Sequence, residues 1–154
     1  MEANQKVIDI LNRLLREELT AINQYMVHAE MFEDWGYAKM GEAEEHAAIE
    51  EMKHAEKLIG RILYLGGRPM VSEMDEIRIG KTVTEMLEND FKLESHAVQL
   101  YNDAIKEVVA QGDNGTKELL DAILKDEEGH IDLFAEQMDQ IEQMGLQRYL
   151  TTIK

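Results

Sequence analysis

The sequence EEMKHAE at residues 50–56, with its echo DEEGHID at residues 126–132, decides how this chain folds. Each segment carries a Glu-x-x-His step, Glu51 with His54 and Glu127 with His130. Residues three apart on a helix share a face, so a carboxylate and an imidazole at that spacing reach toward one cation. With 22 Glu and 5 His in 154 residues, chance supplies roughly 0.7 such steps. One step is weak; two in register are specific. Glu51 and Glu127 lie 76 residues apart, as do His54 and His130, and the same offset pairs Glu18 with Glu94 and Tyr25 with Tyr101.

The surrounding sequence has helical period. Over about residues 5–34 the apolar positions Val7, Leu11, Leu14, Leu15, Ile22 and Tyr25 step at three and four, the pattern of an amphipathic helix. Glu18 falls on that stripe, where a charge is costly unless paired or bound to metal. Trp35-Gly36 stops the helix. A second helix is expected over about 39–65, with Glu51 again at a core position; Gly66-Gly67 ends it and Pro69 prevents its continuation. Residues 66 to about 81 have no period. A connection this long is unusual in a compact domain and suits a crossover that runs the length of a bundle. The third helix is expected over about 82–110, with Thr82 and Glu85 as a capping box. A turn at 111–115 leads to a fourth helix over about 116–144. Beyond Gly145, residues 146 to about 152 make one or two further turns.

The fold class is therefore all-α. It is a four-helix bundle with a long crossover between the second and third helices and a short C-terminal fifth helix, in a single domain over residues 1–154. Halves 7–65 and 83–141 match: Leu11 answers Leu87, Leu15 answers Phe91, Leu58 answers Phe134 and Ile62 answers Met138. A pseudo-twofold axis between the helix pairs would bring both halves' ligands together.

Composition narrows the function. The formal charge is −16, which argues against nucleic acid and anionic membrane surfaces as partners and favours attracting cations. No cysteine is present, so disulfides and iron–sulfur clusters are excluded, and a cytoplasmic location fits. No signal peptide and no membrane span are expected.

Glu18, Glu51, His54, Glu94, Glu127 and His130 exceed what one cation needs and suit two. Di-metal carboxylate bundles take a Glu from each of two helices and Glu-x-x-His from the other two, and the spacing here reproduces that set. By geometry Glu51 and Glu127 bridge, Glu18 and Glu94 are terminal, and each cation takes one histidine. Such oxygen-rich sites suit iron or manganese. Four carboxylates neutralise two divalent cations; without metal they repel and some take up protons. A lone Glu on an apolar stripe is ordinarily snorkelling or paired with lysine, but six residues in matched register are not so explained. Tyr25 and Tyr101 follow Glu18 and Glu94 by two turns, and either pack or serve the ligands as hydrogen-bond or electron donors. His28 and His96 have no matched acidic partner and read as surface or packing residues.

Over nearly its whole length the chain resembles the bacterioferritins. The resemblance is carried by NQKVIDILNRLLREELTAINQYMVHAEMFEDWG (4–36), IEEMKHAEKLIGRILYLGG (49–67), NDFKLESHA (89–97), ILKDEEGHID (123–132) and MGLQRYL (144–150). Met52 is the distinguishing residue within the ferritin superfamily. The resemblance implies a ferritin-like bundle in which Met52 is an axial ligand to a b-type haem shared between two subunits. Met52 directly follows Glu51, so it points about 100° away from the metal stripe and cannot serve that site. Leu19, Asn23, Met26 and Ile49 lie on faces suited to lining such a haem pocket. The resemblance also implies two Fe ions per subunit, a further iron site on the inner surface at His46 and Glu50, a ferredoxin reductant, and a hollow homo-oligomeric shell of about 24 subunits built as twelve dimers. An aspartate is common in the family where Glu50 stands. Leu58 and Leu133 occupy places where some members have aromatics, so no aromatic relay is expected from them.

The function so implied is iron storage and detoxification: ferroxidase oxidation of Fe²⁺ by O₂ or H₂O₂, mineral kept inside the shell, and haem assisting release. The rival is a non-storage di-metal oxidase or peroxidase of the rubrerythrin or manganese-catalase kind. A helical interaction bundle without metal would have to leave four core carboxylates unpaired.

Overall fold

The apolar stripes form helices where the sequence places them. The computed structural model describes residues 2–154, with side chains from Asn4 onward. Among the described residues all regular structure is helical: α1 (Glu2–Asp34), α2 (Ala38–Tyr64), α3 (Val83–Ala110), α4 (Asn114–Met144) and α5 (Leu146–Thr152). Gly36 and Gly66 close α1 and α2 in the left-handed region, at φ 84° and 81°. At each, the following N–H reaches back five residues, Tyr37 to the Phe32 carbonyl and Gly67 to the Ile62 carbonyl, both at 2.8 Å. This is the Schellman closure that glycine permits without a Cβ clash. The cap at α3 forms with its return bond displaced by one residue: Thr82 Oγ1 accepts from the Glu85 N–H at 3.2 Å, and Glu85 Oε2 accepts at 2.7 Å from the N–H of Lys81, just before the capping residue. Helix α4 starts at Asn114, two residues earlier than its sequence period suggests. Asp113 is the cause, since its side chain accepts from the Thr116 N–H at 3.0 Å and so caps the helix there.

Helix α1 packs on α2 and α3 on α4, and the two pairs meet through α1 against α3 and α2 against α4. The crossover after α2 runs alongside α1 and is tied to it by polar side chains. Asn12 donates to the Arg68 carbonyl at 3.1 Å and accepts from the Met70 N–H at 2.8 Å. Thr20 then accepts from the Asp75 N–H at 2.8 Å, Gln24 from the Arg78 N–H at 3.1 Å and His28 from the Gly80 N–H at 3.1 Å. Residues 12 to 28 cover roughly 24 Å of helix, so the crossover carries the chain from one end of the bundle to the other before α3 begins.

The apolar core is split in two. One cluster gathers Leu11, Leu15, Leu58, Ile62, Val108 and Ile123; the other gathers Phe32, Met40, Met86, Leu87, Phe134 and Tyr149. Between them, on all four long helices, lies a belt of buried carboxylates and imidazoles. Helix α5 closes the second cluster: Tyr149 and Ile153 are buried, and the Ile153 carbonyl accepts from the Met40 N–H at 3.2 Å. No helix among the described residues is long and apolar enough to cross a membrane.

Candidate metal centre

Each long helix contributes to the belt because its stripe carries an acid where an apolar residue would otherwise sit. Glu18, Glu51, His54, Glu94, Glu127 and His130 are all buried. They fall into two overlapping sets. Ligand atoms of Glu18, Glu51, His54 and Glu127 lie within 4.8 Å of one another, as do those of Glu51, Glu94, Glu127 and His130. Glu51 and Glu127 belong to both sets, the geometry of two bridging carboxylates. His54 Nδ1 lies 3.5 Å from Glu18 Oε2 and 3.2 Å from Glu127 Oε1. His130 Nδ1 lies 2.9 Å from Glu51 Oε1 and 3.1 Å from Glu94 Oε1. The donor set fits a cation pair: Glu18 Oε2, both Glu51 oxygens, His54 Nδ1, Glu94 Oε2 and Glu127 Oε1 are buried without a hydrogen-bond partner. Orphaned acceptors of this kind are expensive unless a cation or proton satisfies them.

The outer ring nitrogens settle how the imidazoles are oriented. His54 Nε2 sits 2.9 Å from Asp126 Oδ2, and His130 Nε2 sits 2.8 Å from Glu50 Oε2. A carboxylate accepts only, so each Nε2 donates outward and holds its ring with Nδ1 facing the centre, where Nδ1 offers a lone pair once a cation displaces its proton, the carboxylate–histidine arrangement of metal sites. Without a cation the same crowding holds protons. Burial, then the charges of Glu18 and Glu94, push Glu51 well above the carboxylate range; burial, then Glu94 and Glu18, do so for Glu127. Burial alone would lower the imidazoles, but hydrogen bonds from Glu127 and Glu18 outweigh it and raise His54 to about 10. Glu94 likewise raises His130 to about 9. Cation binding therefore displaces protons.

Tyr25 and Tyr101 do more than pack. The Tyr101 hydroxyl donates to Glu18 Oε1 at 2.5 Å, and the Tyr25 hydroxyl donates to Glu94 Oε1. Each half's tyrosine holds the other half's terminal carboxylate, a direct reading of the pseudo-twofold axis.

Met52 is 45% exposed and points away from the centre, with Ile49 one turn earlier on the same outward face of α2 and 40% exposed. Met26 on α1 is 51% exposed. Asn23 donates to the Leu19 carbonyl at 2.8 Å and to Met74 Sδ at 3.1 Å. His46 Nδ1 lies 3.1 Å from Glu50 Oε1, and Glu50 Oε2 reaches His130, so Glu50 joins an exposed histidine to the buried one.

Two histidines read as surface or packing residues are so placed but also have acidic partners. His28 is fully buried against Asp90 at 2.8 Å, and His96 meets Glu17 at 3.1 Å. Both have acidic partners, which local spacing hides because Asp90 lies 62 residues from His28 and Glu17 lies 79 from His96. Glu44 and Asp90 escape the sequence reading although their own stripes carry the signal: Glu44 stands seven residues before Glu51, and Asp90 three after Leu87 and four before Glu94. Asp126 could have been found from the repeat, since it stands 76 residues after Glu50.

A family model for the ferritin-like domain matches residues 8–144. The chain is similar to a bacterioferritin of Rhodobacter capsulatus, 42% identical over 149 residues that cover 97% of this chain and 92% of the relative. It is similar to a bacterioferritin of Streptomyces coelicolor, 39% identical over 153 residues, covering 99% and 92%. A bacterial ferritin of Pseudomonas aeruginosa is 42% identical over 151 residues, covering 97% of both chains.

Proposed function

This chain belongs to the bacterioferritins of the ferritin-like family, and from that premise we propose that it is a ferroxidase that stores iron. Fe²⁺ is the substrate. The observation that carries the proposal is the overlap of two four-ligand sets through Glu51 and Glu127, ringed by orphaned buried oxygens. Glu18 and His54 hold one Fe²⁺, Glu94 and His130 the other, and Glu51 and Glu127 span both. Each Fe²⁺ gives up one electron. O₂ takes two electrons and two protons to become H₂O₂, and H₂O₂ takes two of each to become two waters. Four carboxylates favour the ferric product because hard anionic ligands suit the higher charge. The tyrosines fix the terminal carboxylates, and Asp126 and Glu50 fix the rings.

The single helical domain works as part of a cytoplasmic homo-oligomeric shell of about 24 subunits, twelve dimers, with mineral inside. Its acidic surface draws Fe²⁺ inward. His46 and Glu50 form an iron position on the inner surface, with Glu50 leading to His130. The residues of the outer face suit haem: Met52 offers an exposed thioether, and Ile49 and Met26 add apolar surface. A b-type haem held by Met52 and a second copy's equivalent would supply a one-electron route for reductive iron release, with a ferredoxin as donor.

Glu18→Ala combined with Glu94→Ala abolishes fast Fe²⁺ oxidation in stopped-flow absorbance and leaves the assembly's elution volume unchanged. Unaltered oxidation kinetics would reject the centre. Met52→Ala removes haem, read from the optical spectrum of the purified protein; wild-type haem content would reject the axial role. Size-exclusion chromatography separates a storage shell from a small di-metal oxidase.

A further inference from the structure

A second buried cluster lies beside the paired centre, and the proposed oxidation makes no use of it. His28 on α1, Glu44 on α2 and Asp90 on α3 bring three ligand-type atoms within 4.8 Å of one another, and all three residues are 0% exposed. Asp90 stands one turn before Glu94 on α3, and Gln24, which also touches it, directly precedes Tyr25. The cluster therefore flanks the paired site on the side of α5.

Hydrogen bonds fix part of this cluster and leave the rest open. The Gly80 N–H donates to His28 Nε2 at 3.1 Å, so that nitrogen is an acceptor and the ring proton sits on Nδ1. Nδ1 faces Asp90 Oδ1 at 2.8 Å, and Gln24 Nε2 donates to the same oxygen at 2.9 Å. Asp90 Oδ1 therefore meets both donors, which leaves its second oxygen free. That oxygen, Oδ2, and both oxygens of Glu44 are buried without any hydrogen-bond partner. The nearby Tyr149 hydroxyl is spent on Gln137 at 2.6 Å. Among the described residues no lysine or arginine forms an ion pair with Glu44 or Asp90. Two buried carboxylates with three orphaned oxygens thus meet with no lysine or arginine to balance them, the condition already seen at the paired centre.

We propose that Glu44 and Asp90 bind one small divalent cation, a third metal position in each subunit, distinct from the pair and from the exposed His46–Glu50 position. The ligands are the Glu44 carboxylate and Asp90 Oδ2, with water completing the shell. His28 is a positioning residue: its Nδ1 proton is committed to Asp90 Oδ1, so the ring orients the carboxylate from behind. A site whose free donors are all oxygen suits hard cations such as Mn²⁺ or Mg²⁺. One divalent charge neutralises the two carboxylates. The competitor for that place is a proton on Glu44, a carboxyl that burial and then neighbouring Asp90 hold well above the usual range.

The test is a crystal of the intact protein soaked in Mn²⁺, with anomalous data collected to locate manganese, and Mn²⁺ equilibrium dialysis in parallel. An anomalous peak between Glu44 and Asp90, and the loss of one bound Mn²⁺ per subunit in Glu44→Gln, are the expected results. The peak persists in the Glu18→Ala, Glu94→Ala protein, so failure of the paired centre and failure of this position are told apart. Manganese at the pair with none between Glu44 and Asp90, those oxygens instead in hydrogen-bond contact over a shared proton, overturns the proposal. Should Glu44→Gln not assemble, the wild-type anomalous map decides alone.

Discussion

Asp126→Ala tests how each ring is held, and its effect should fall on one cation of the pair. His54 Nε2 donates to Asp126 Oδ2 at 2.9 Å, and His130 Nε2 donates to Glu50 Oε2 at 2.8 Å. Removing Asp126 leaves the His54 proton free to move to Nδ1, the atom facing Glu18 and Glu127, where it opposes a cation. Loss of such a partner costs about 10- to 100-fold in metal affinity, or ~1.4–2.8 kcal/mol. The Asp126 side chain is 49% exposed, so water competes for the ring N–H, and the effect belongs near the lower end, about tenfold. Glu50 is 31% exposed, and Glu50→Ala should cost somewhat more. The assay is Co²⁺ titration of the metal-free protein, followed by its visible bands, with thermal melting as a control for folding. Wild type fills the pair in closely spaced steps. Asp126→Ala weakens one step and leaves the other within about twofold, while Glu50→Ala weakens the opposite one, told apart by which histidine resonances respond. Equal weakening of both steps in either variant, or no change in either, would refute the assignment of one ring to each cation.

Glu17 is raised to about 8, first by burial and then by Asp75 beside it. Because its folded value lies above its unfolded one, its contribution to stability is complete below about pH 4.5 and disappears as pH climbs through about 8. Glu17→Gln should flatten the fall in Tm between pH 5 and 9, and an unchanged slope would show that Glu17 does not titrate there. Arg61 ties the end of α2 to the start of α4, donating to Thr116 Oγ1 and Asp113 Oδ1, both at 3.0 Å. Arg61→Ala should cost about 2 kcal/mol in urea unfolding, and a loss too small to measure would make the pair a surface contact. Thr82→Ala removes the cap of α3 and should cost about 1 kcal/mol, read by the same unfolding.

The sequence by itself determined the helices and the six side chains that converge between them. Both are local facts repeated: a period of three and four fixes each stripe, Glu-x-x-His fixes a shared face, and one offset of 76 residues relates the halves. Side-chain direction on a helix follows from position along it, so Glu18, Glu51, Glu94 and Glu127 could be assigned to the interior before any packing was known. What only the tertiary structure decided is which residue of one helix meets which residue of another. His28 finds Asp90, His96 finds Glu17, His54 finds Asp126, and the two tyrosines cross to the opposite half's carboxylates. Those pairings depend on how the helices are set against one another by the crossover along α1. Glu44 shows the limit most clearly. Its place seven residues before Glu51 puts it on the buried stripe of α2, but its partners arise only where α1 and α3 bring His28 and Asp90 against it.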